Sequence, residues 1–240
     1  EAAAEWLQQL VEAAAADSSV GIAASKLLVY DSGRIDSAGD GCMTSGRGFK
    51  RGEGHEASCY VRQEYVFGAC GGAMLIKKAV VEDIGFLDER FFLIYEDVDF
   101  CFRSRLAGWK TLFVPGAIVY HKVRTSICHL SDVAVYYSVR NAKLVWLKNM
   151  PLALMLRYWH HVLLQEVLSF FYFCVKHQKW RSFWRAQWSV LHELPAVLRQ
   201  RKEIQGRKRL TVRELEQELT SLFQKELFEE KFYKFFGLKS

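Results

Sequence analysis

Paired cysteines, long apolar runs and proline are scarce or absent in this sequence. Its 240 residues include three prolines, and its six cysteines never form a Cys-x-x-Cys pair, so neither a zinc ribbon nor a disulfide framework is indicated. A reducing compartment fits this pattern best. No signal peptide is predicted. In the aromatic stretch 151–175 the longest charge-free apolar piece, 167–175, is far shorter than the ~20 residues of a membrane-spanning helix.

The composition is that of a folded protein with two unlike halves. Half of the residues are hydrophobic and a quarter are charged, which allows a buried core. Residues 1–120 carry a net charge of −5 and residues 121–240 a net charge of +11. We therefore predict one α/β unit at residues 1–132, followed by a basic helical extension at residues 133–240.

The first half alternates between strand-like and helix-like segments, which favours an α/β layer architecture. Apolar runs at 20–30, 73–76 and 110–121 predict strands, and the patterns at 77–84 and 97–107 predict helices. The glycine-rich segment 39–56 has no period and is predicted to be a long loop. It is either a binding element or a plain connection, and it lacks the residue order of a phosphate-binding P-loop.

The second half is predicted to be helical, with Pro151 and Pro195 at first turns or helix breaks. Residues 140–213 contain 15 basic and 3 acidic residues interleaved with tryptophans. This pattern suits an anionic membrane surface, although a helical bundle with a tryptophan core has the same signature. No nucleic-acid recognition motif is present, so nucleic acid ranks last among the partners.

Three acids follow a run of large apolar residues in the segment FFLIYEDVDF. Glu96, Asp97 and Asp99 occupy the first turn of a predicted helix, where the helix dipole favours negative charge. Asp99 and Arg103 have the i,i+4 spacing of an ion pair. The acids either cap this helix or form a partly desolvated base site at the edge of the sheet, close to His121 at the end of the next strand.

The segment after this strand is cationic. Lys122 and Arg124, with the hydroxyls of Thr125 and Ser126, can bind phosphate oxygens. The local pattern thus predicts an anionic ligand, with a divalent cation, facing a carboxylate base.

Several short motifs follow one another in a definite order. They are glycines before an apolar strand, then G-F-L-D-E-R-F-F, E-D-x-D, A-G-W, V-P and a histidine. This order resembles the second half of the catalytic domain of family-2 glycosyltransferases with the GT-A fold. The resemblance is greatest to bacterial rhamnosyl- and galactofuranosyltransferase-like enzymes of cell-wall and surface polysaccharide synthesis. It covers residues 6–141 and implies an inverting transfer from a nucleotide sugar to a hydroxyl of a glycan or lipid-linked acceptor.

The resemblance also implies roles for individual residues. Asp97 is expected to be the catalytic base, with Glu96 orienting the acceptor. His121 is the expected ligand of a divalent metal, Mg²⁺ or Mn²⁺, or of the donor diphosphate. Lys122 and Arg124 are expected to contact the donor diphosphate. The acceptor side is expected to be lined by Gly71, Gly72, Ala73 and Asp99.

The sequence departs from the family at its start. The family's D-x-D metal motif lies before the W-L helix, within which this chain begins, so we expect an incomplete GT-A sheet that lacks its nucleotide-binding half. Such a chain is expected to be a part of a longer enzyme, inactive alone. The alternative is a noncatalytic module that docks to a membrane or partner. A processive synthase is disfavoured because no Q-x-x-R-W motif is present. The expected location is cytoplasmic, at the inner face of the cell membrane.

Overall fold

The computed structural model describes residues 1–123 and 130–224. Its strands are β1 (Val20–Val29), β2 (Ile35–Ala38), β3 (Asp40–Cys42), β4 (Gly48–Lys50), β5 (Glu64–Val66), β6 (Met74–Ile76) and β7 (Lys110–His121). Its helices are α1 (Trp6–Ala16), α2 (Lys78–Ile84), α3 (Glu96–Leu106), α4 (Asp132–Asn149), α5 (Leu152–Phe170), α6 (Trp180–Gly206) and α7 (Val212–Glu218). A π-helical turn, Phe171–Lys176, follows α5.

The predicted α/β architecture is confirmed. A five-stranded mixed sheet has the order β2-β1-β7-β5, with β6 also pairing with β1. The long strands β1 and β7 are parallel and form the centre of the sheet. Their register shifts between Val114 and Ile118, and Pro115 lies in this irregularity, where a proline costs no ladder hydrogen bond. At the far end His121 pairs with Val29, so the histidine lies at an end of the central strands.

Helices cover both faces of the sheet. On one face α1 buries Leu10 against Val20 and Leu112. On the other, Phe100 of α3 packs with Ile22 of β1. The opposite side of α3 contacts α4 in a third apolar cluster, which also includes residues of α5, α6 and α7. The basic extension is thus packed onto the α/β unit through α3.

The predicted long loop at 39–56 contains structure that the sequence did not indicate. Within it, β3 and β4 form an antiparallel hairpin whose turn has Gly46 at a φ of +79°. Strands of three residues are too short to show the alternation of apolar and polar residues that identifies a strand. The glycines in this segment also favour its interpretation as a loop. The hairpin packs on α4, because a Cβ atom on Gly46 would lie 2.7 Å from Cβ of Trp146.

The two prolines of the second half behave differently from each other. Pro151 immediately precedes α5, as predicted. Pro195 does not break or begin a helix: it lies inside α6. Buried residues of α6 on both sides of it, Val190 and Val197, pack in the same cluster, and this packing outweighs the lost backbone hydrogen bond.

Gly46→Ala is expected to lower the free energy of unfolding by about 2–4 kcal/mol, through left-handed backbone strain and the collision with Trp146. Gly54→Ala is the matched control, because Gly54 has a φ of +83° and open space around its Cβ position. It should cost only about 1 kcal/mol. Urea unfolding of both variants measures the difference. Equal losses would mean that the hairpin does not rest on α4.

Candidate active site

The loop before α3 has an unusual backbone. Phe92, Ile94 and Tyr95 all have positive φ angles, between 50° and 76°, and none is glycine. The amide of the buried Asn141 compensates this strain by donating to the carbonyls of residues 91, 93 and 94 at 2.7–2.9 Å. Helix α4 thereby fixes the entry of α3 and the acids that begin it.

Asp97 is held at the N-terminus of α3. The backbone N–H of Gly71 donates to its Oδ2 at 2.8 Å. A Cβ atom on Gly71 would lie 3.1 Å from Cβ of Asp97, so a glycine allows this close approach. The structure therefore brings Gly71 and Asp97 together. Gly72 is exposed and Ala73 is buried, on the segment that leads into β6.

Glu96 lies beside Asp97 in a less polar setting. Burial, followed by the neighbouring charge of Asp97, raises the pKa of Glu96. Its Oε2 atom is buried and has no hydrogen-bond partner within residues 1–123 and 130–224. A substrate hydroxyl that reached this oxygen would supply the missing hydrogen bond.

Asp40 and Cys70 lie next to Asp97, and ligand-type atoms of the three side chains are all within 4.8 Å of one another. Burial and the charge of Asp97 raise the pKa of Asp40 to about 7. Burial raises the pKa of Cys70 to about 12, so its thiol stays protonated at neutral pH. A neutral thiol is a poor ligand for the hard cations Mg²⁺ and Mn²⁺. The cluster is therefore a carboxyl pair that favours one proton.

Asp40→Asn is expected to remove a pH dependence of stability. The folded state favours protonated Asp40, so the parent loses stability as the pH rises from about 4 to about 7. The variant should be more stable than the parent at pH 8, by about 4 kcal/mol, and should lose this advantage near pH 4. Urea unfolding at both pH values tests this. Asp31→Asn, at an exposed position, is the control; an equal offset at both pH values for Asp40→Asn would contradict the prediction.

A series of charged side chains connects His121 to the hairpin that holds Asp40. Its Nδ1 lies 2.9 Å from Oδ2 of the buried Asp36, which also accepts from Nζ of Lys50 at 2.6 and 2.8 Å. Lys50 pairs across the hairpin with Asp40. A carboxylate only accepts, so Nδ1 of His121 donates to Asp36, an arrangement that leaves Nε2 as the ligand atom of the neutral imidazole. Metal-binding histidines use this carboxylate support, so His121 fits a divalent cation.

The cationic residues after His121 are only partly described. The ammonium of Lys122 lies 4.7 Å from the centre of the Tyr30 ring. Arg124 lies outside the described residues.

Asp99 does not lie on the acceptor side. It is fully buried, and it accepts from Nε of Arg103 and Nζ of Lys148, both at 2.9 Å, and from Nδ2 of Asn149 at 2.8 Å. The predicted pair with Arg103 is confirmed. The acceptor-binding assignment is wrong, because the side chain faces α4 rather than solvent.

Sequence reasoning missed three residues that build this site. Asp36 lies outside every element that the sequence predicted, and Asp40 lies in the predicted glycine-rich loop. Asp36 reaches His121 by a side-chain contact, and a backbone bridge between Asp40 and Gly68 brings Asp40 close to Asp97. Asn141 lies in the segment YYSVRNAKLV, which carried a family resemblance. An Asn inside an apolar helical stretch is the one signal that could have identified it, because a buried amide needs partners.

Parts of this sequence are similar to known proteins. Residues 7–141 match the family described as glycosyltransferase like family 2. The N-acetylglucosaminyl-diphospho-decaprenol L-rhamnosyltransferase of Mycobacterium tuberculosis is 35% identical over 57 residues, 23% of this chain and 19% of that protein. The dTDP-rhamnosyl transferase RfbF of Shigella flexneri is 34% identical over 92 residues, 35% of this chain and 31% of that protein.

A third relative is the low-salt glycan biosynthesis hexosyltransferase Agl10 of Haloferax volcanii. It is 49% identical over 37 residues, 15% of this chain and 12% of that protein. The matched segments thus span less than a third of the length of each of these three relatives.

Proposed function

Because this chain belongs to glycosyltransferase family 2, we propose that it carries the acceptor and base part of an inverting glycosyltransferase. The observation that supports this most is the fixed position of Asp97. Its carboxylate is held by the Gly71 amide at a helix N-terminus, beside the half-buried Glu96, whose buried Oε2 atom has no hydrogen-bond partner among the described residues. A positioned carboxylate of this kind suits removal of a proton from an attacking hydroxyl.

Each remaining residue of the site has a proposed part in this transfer. Glu96 binds the acceptor through its unpaired oxygen, and Gly71, Gly72 and Ala73 form the backbone of the acceptor side. Asp40, whose carboxyl has a raised pKa, lies close to Asp97. Lys122 and Arg124 are proposed to contact the donor diphosphate.

A divalent cation, Mg²⁺ or Mn²⁺, is proposed to bind Nε2 of His121. Asp36 fixes the ring and Lys50 balances the charge of Asp36. When bound, such a cation neutralises the charge that develops on a leaving diphosphate.

The relatives support a substrate class. Two are named rhamnosyltransferases, and one of these acts on a diphospho-decaprenol acceptor. We propose a nucleotide-activated rhamnose or related hexose as donor and a lipid-linked glycan as acceptor, in cell-wall or surface polysaccharide synthesis.

The experiment that tests the proposed function is a transfer assay with the full-length protein, radiolabelled nucleotide sugars and a lipid-diphosphate-linked sugar. We expect transfer that a chelator abolishes and Mn²⁺ or Mg²⁺ restores. Folded protein that transfers no sugar from any donor, with either cation present, would instead favour a noncatalytic docking module.

An anionic membrane surface at the inner face of the cell membrane is proposed as the place of action. Within the described residues no helix has the length and apolarity to cross a bilayer. However, α6 exposes Trp180, Trp184 and Trp188 at helical spacing, next to the exposed Arg181 and Arg185. Basic residues beside exposed tryptophans suit a lipid headgroup region.

We expect the chain to pellet with phosphatidylglycerol vesicles at low salt and to be released by 0.5 M salt. Replacing the three tryptophans of α6 by serine should reduce the pelleted fraction at least fivefold. Phe86→Ser is the matched control, since Phe86 is also an exposed aromatic residue and lies outside the basic extension. Unchanged pelleting of the tryptophan variant would contradict the membrane proposal.

A further inference from the structure

A cavity of about 140 Å³ lies between the β3–β4 turn, α4 and α5. Most of its surface is apolar, and the residues used below are Ser45, Arg47, Ala142, Trp146 and Val162. Apolar cavities of roughly 150 Å³ take up a molecule the size of benzene, so this one has room for about six carbon atoms.

Two buried polar atoms at this cavity lack partners. In the described part of the chain, neither Oγ of Ser45 nor Nε1 of Trp146 makes a hydrogen bond. An unmade hydrogen bond of a buried group costs about 1–3 kcal/mol. A ligand that carries an oxygen acceptor next to an apolar segment would satisfy Trp146 and fill the cavity.

The charge at the cavity selects the kind of ligand. Arg47 lines it, and within residues 1–123 and 130–224 its guanidinium contacts no carboxylate. Lys143 also lines the cavity but is paired with Glu166 at 2.8 Å, which leaves Arg47 as the cation that can receive an anion. A guanidinium with an adjacent N–H donor suits a phosphate oxygen.

The position of the cavity connects it to the candidate active site. One end of the β3–β4 hairpin holds Asp40 beside Asp97, and the other end holds Ser45 and Arg47 at the cavity. The paired part of this hairpin spans about 7 Å. The cavity is therefore separated from the carboxyl pair by roughly the length of one short hairpin.

The cavity also borders the exposed apolar residues of α5. Val162 lines it, while the next residue, Leu163, is exposed together with Leu156 and Trp159. An apolar chain that left the cavity would continue over this exposed surface.

We propose that this cavity binds the first isoprenoid-sized segment of the acceptor lipid, with its phosphate at Arg47 and Trp146. This rests on the proposed function for the identity of the acceptor, but the site itself is defined by its volume and by donors and a cation that have no partner among the described residues. The length of the β3–β4 hairpin then sets the distance between the lipid phosphate and the acceptor hydroxyl at Asp97.

The test is a titration of the chain with geranyl phosphate, a soluble probe with two isoprene units, followed through the indole N–H signals of ¹⁵N-labelled protein. Trp146→Phe identifies the Trp146 signal by its loss. We expect a saturable shift of this signal. Inorganic phosphate alone should leave the signal in place, which separates lipid recognition from simple anion binding.

Ala142→Phe fills the cavity and should weaken geranyl phosphate binding at least tenfold. The matched control is Val133→Phe, which adds the same ring to an exposed position of the same helix and should change affinity less than twofold. Arg47→Gln should weaken geranyl phosphate severalfold and leave geraniol unaffected, a comparison that does not need Ala142→Phe to fold.

The inference would be overturned if the Trp146 signal of the parent did not shift, or if its shift did not saturate. It would also be overturned if folded Ala142→Phe bound geranyl phosphate as tightly as the parent. The outcome is independent of the proposed reaction. Asp97→Asn should abolish transfer and keep the Trp146 shift, whereas a false cavity assignment would remove the shift and leave the effect of Asp97→Asn intact.

Discussion

Asp97→Asn is expected to lower the rate of sugar transfer by the full-length protein about 10²–10⁴-fold, the usual contribution of a general base. The substitution is nearly isosteric. Its side-chain oxygen can still accept from the Gly71 amide, which keeps the link between the loop and the helix, while the bond from the Val98 N–H to Oδ1 is lost. The ability to take a proton from the acceptor hydroxyl is removed, and this loss should appear in kcat more than in donor affinity.

Glu89→Gln is the matched control, because Glu89 is an exposed acid on the segment that precedes the same helix. It should retain parental transfer. The transfer rate of Glu96→Gln should lie between the rates of these two variants, because an amide can still hydrogen bond to a hydroxyl. Its KM for the acceptor should be higher than that of the parent. If Asp97→Asn transferred sugar at a rate within threefold of the parent, Glu96 and Asp97 would be helix caps rather than catalytic groups.

Asp99→Ala is expected to lower the free energy of unfolding by about 3–5 kcal/mol, because removing one partner of a buried ion pair leaves uncompensated charge. Asp99 is the shared acceptor of Arg103 and Lys148. Arg103 also donates to the carbonyls of Ile84 and Phe86, so the loss extends to the segment after α2. Urea unfolding followed by circular dichroism measures the effect.

Glu82→Ala provides the comparison, since Lys78 and Glu82 form an exposed pair at the same i,i+4 spacing as Asp99 and Arg103. That change should cost less than about 0.5 kcal/mol. If Asp99→Ala unfolded at the same urea concentration as Glu82→Ala and yet lost acceptor binding, Asp99 would be an acceptor contact after all.

Much of the fold could be predicted from local pattern. The apolar runs of β1 and β7 were long enough to identify, and the glycine after α2 and the acids of α3 mark helix ends within a residue or two. The position of His121 at a strand end follows from the same pattern. These features depend on residues that are close together in the sequence, so they can be predicted without knowledge of the fold.

The rest depends on distant partners. Asp99 and Arg103 are four residues apart and could be paired from spacing, but the burial of Asp99 is decided by Lys148 and Asn149 on another helix. In the same way, a backbone bridge between Asp40 and Gly68 brings Asp40 close to Asp97, and Asn141 stabilises a strained loop nearly 50 residues earlier. No local period encodes such contacts, so the carboxyl pair became visible only in the structure.

The most direct test of the central claim is to measure donor affinity and sugar turnover on the same folded sample of Asp97→Asn full-length protein. The account predicts nucleotide-sugar binding within twofold of the parent, together with a loss of turnover of at least 100-fold. Parental turnover by this variant, at parental donor affinity, would contradict the assignment of Asp97 as the base.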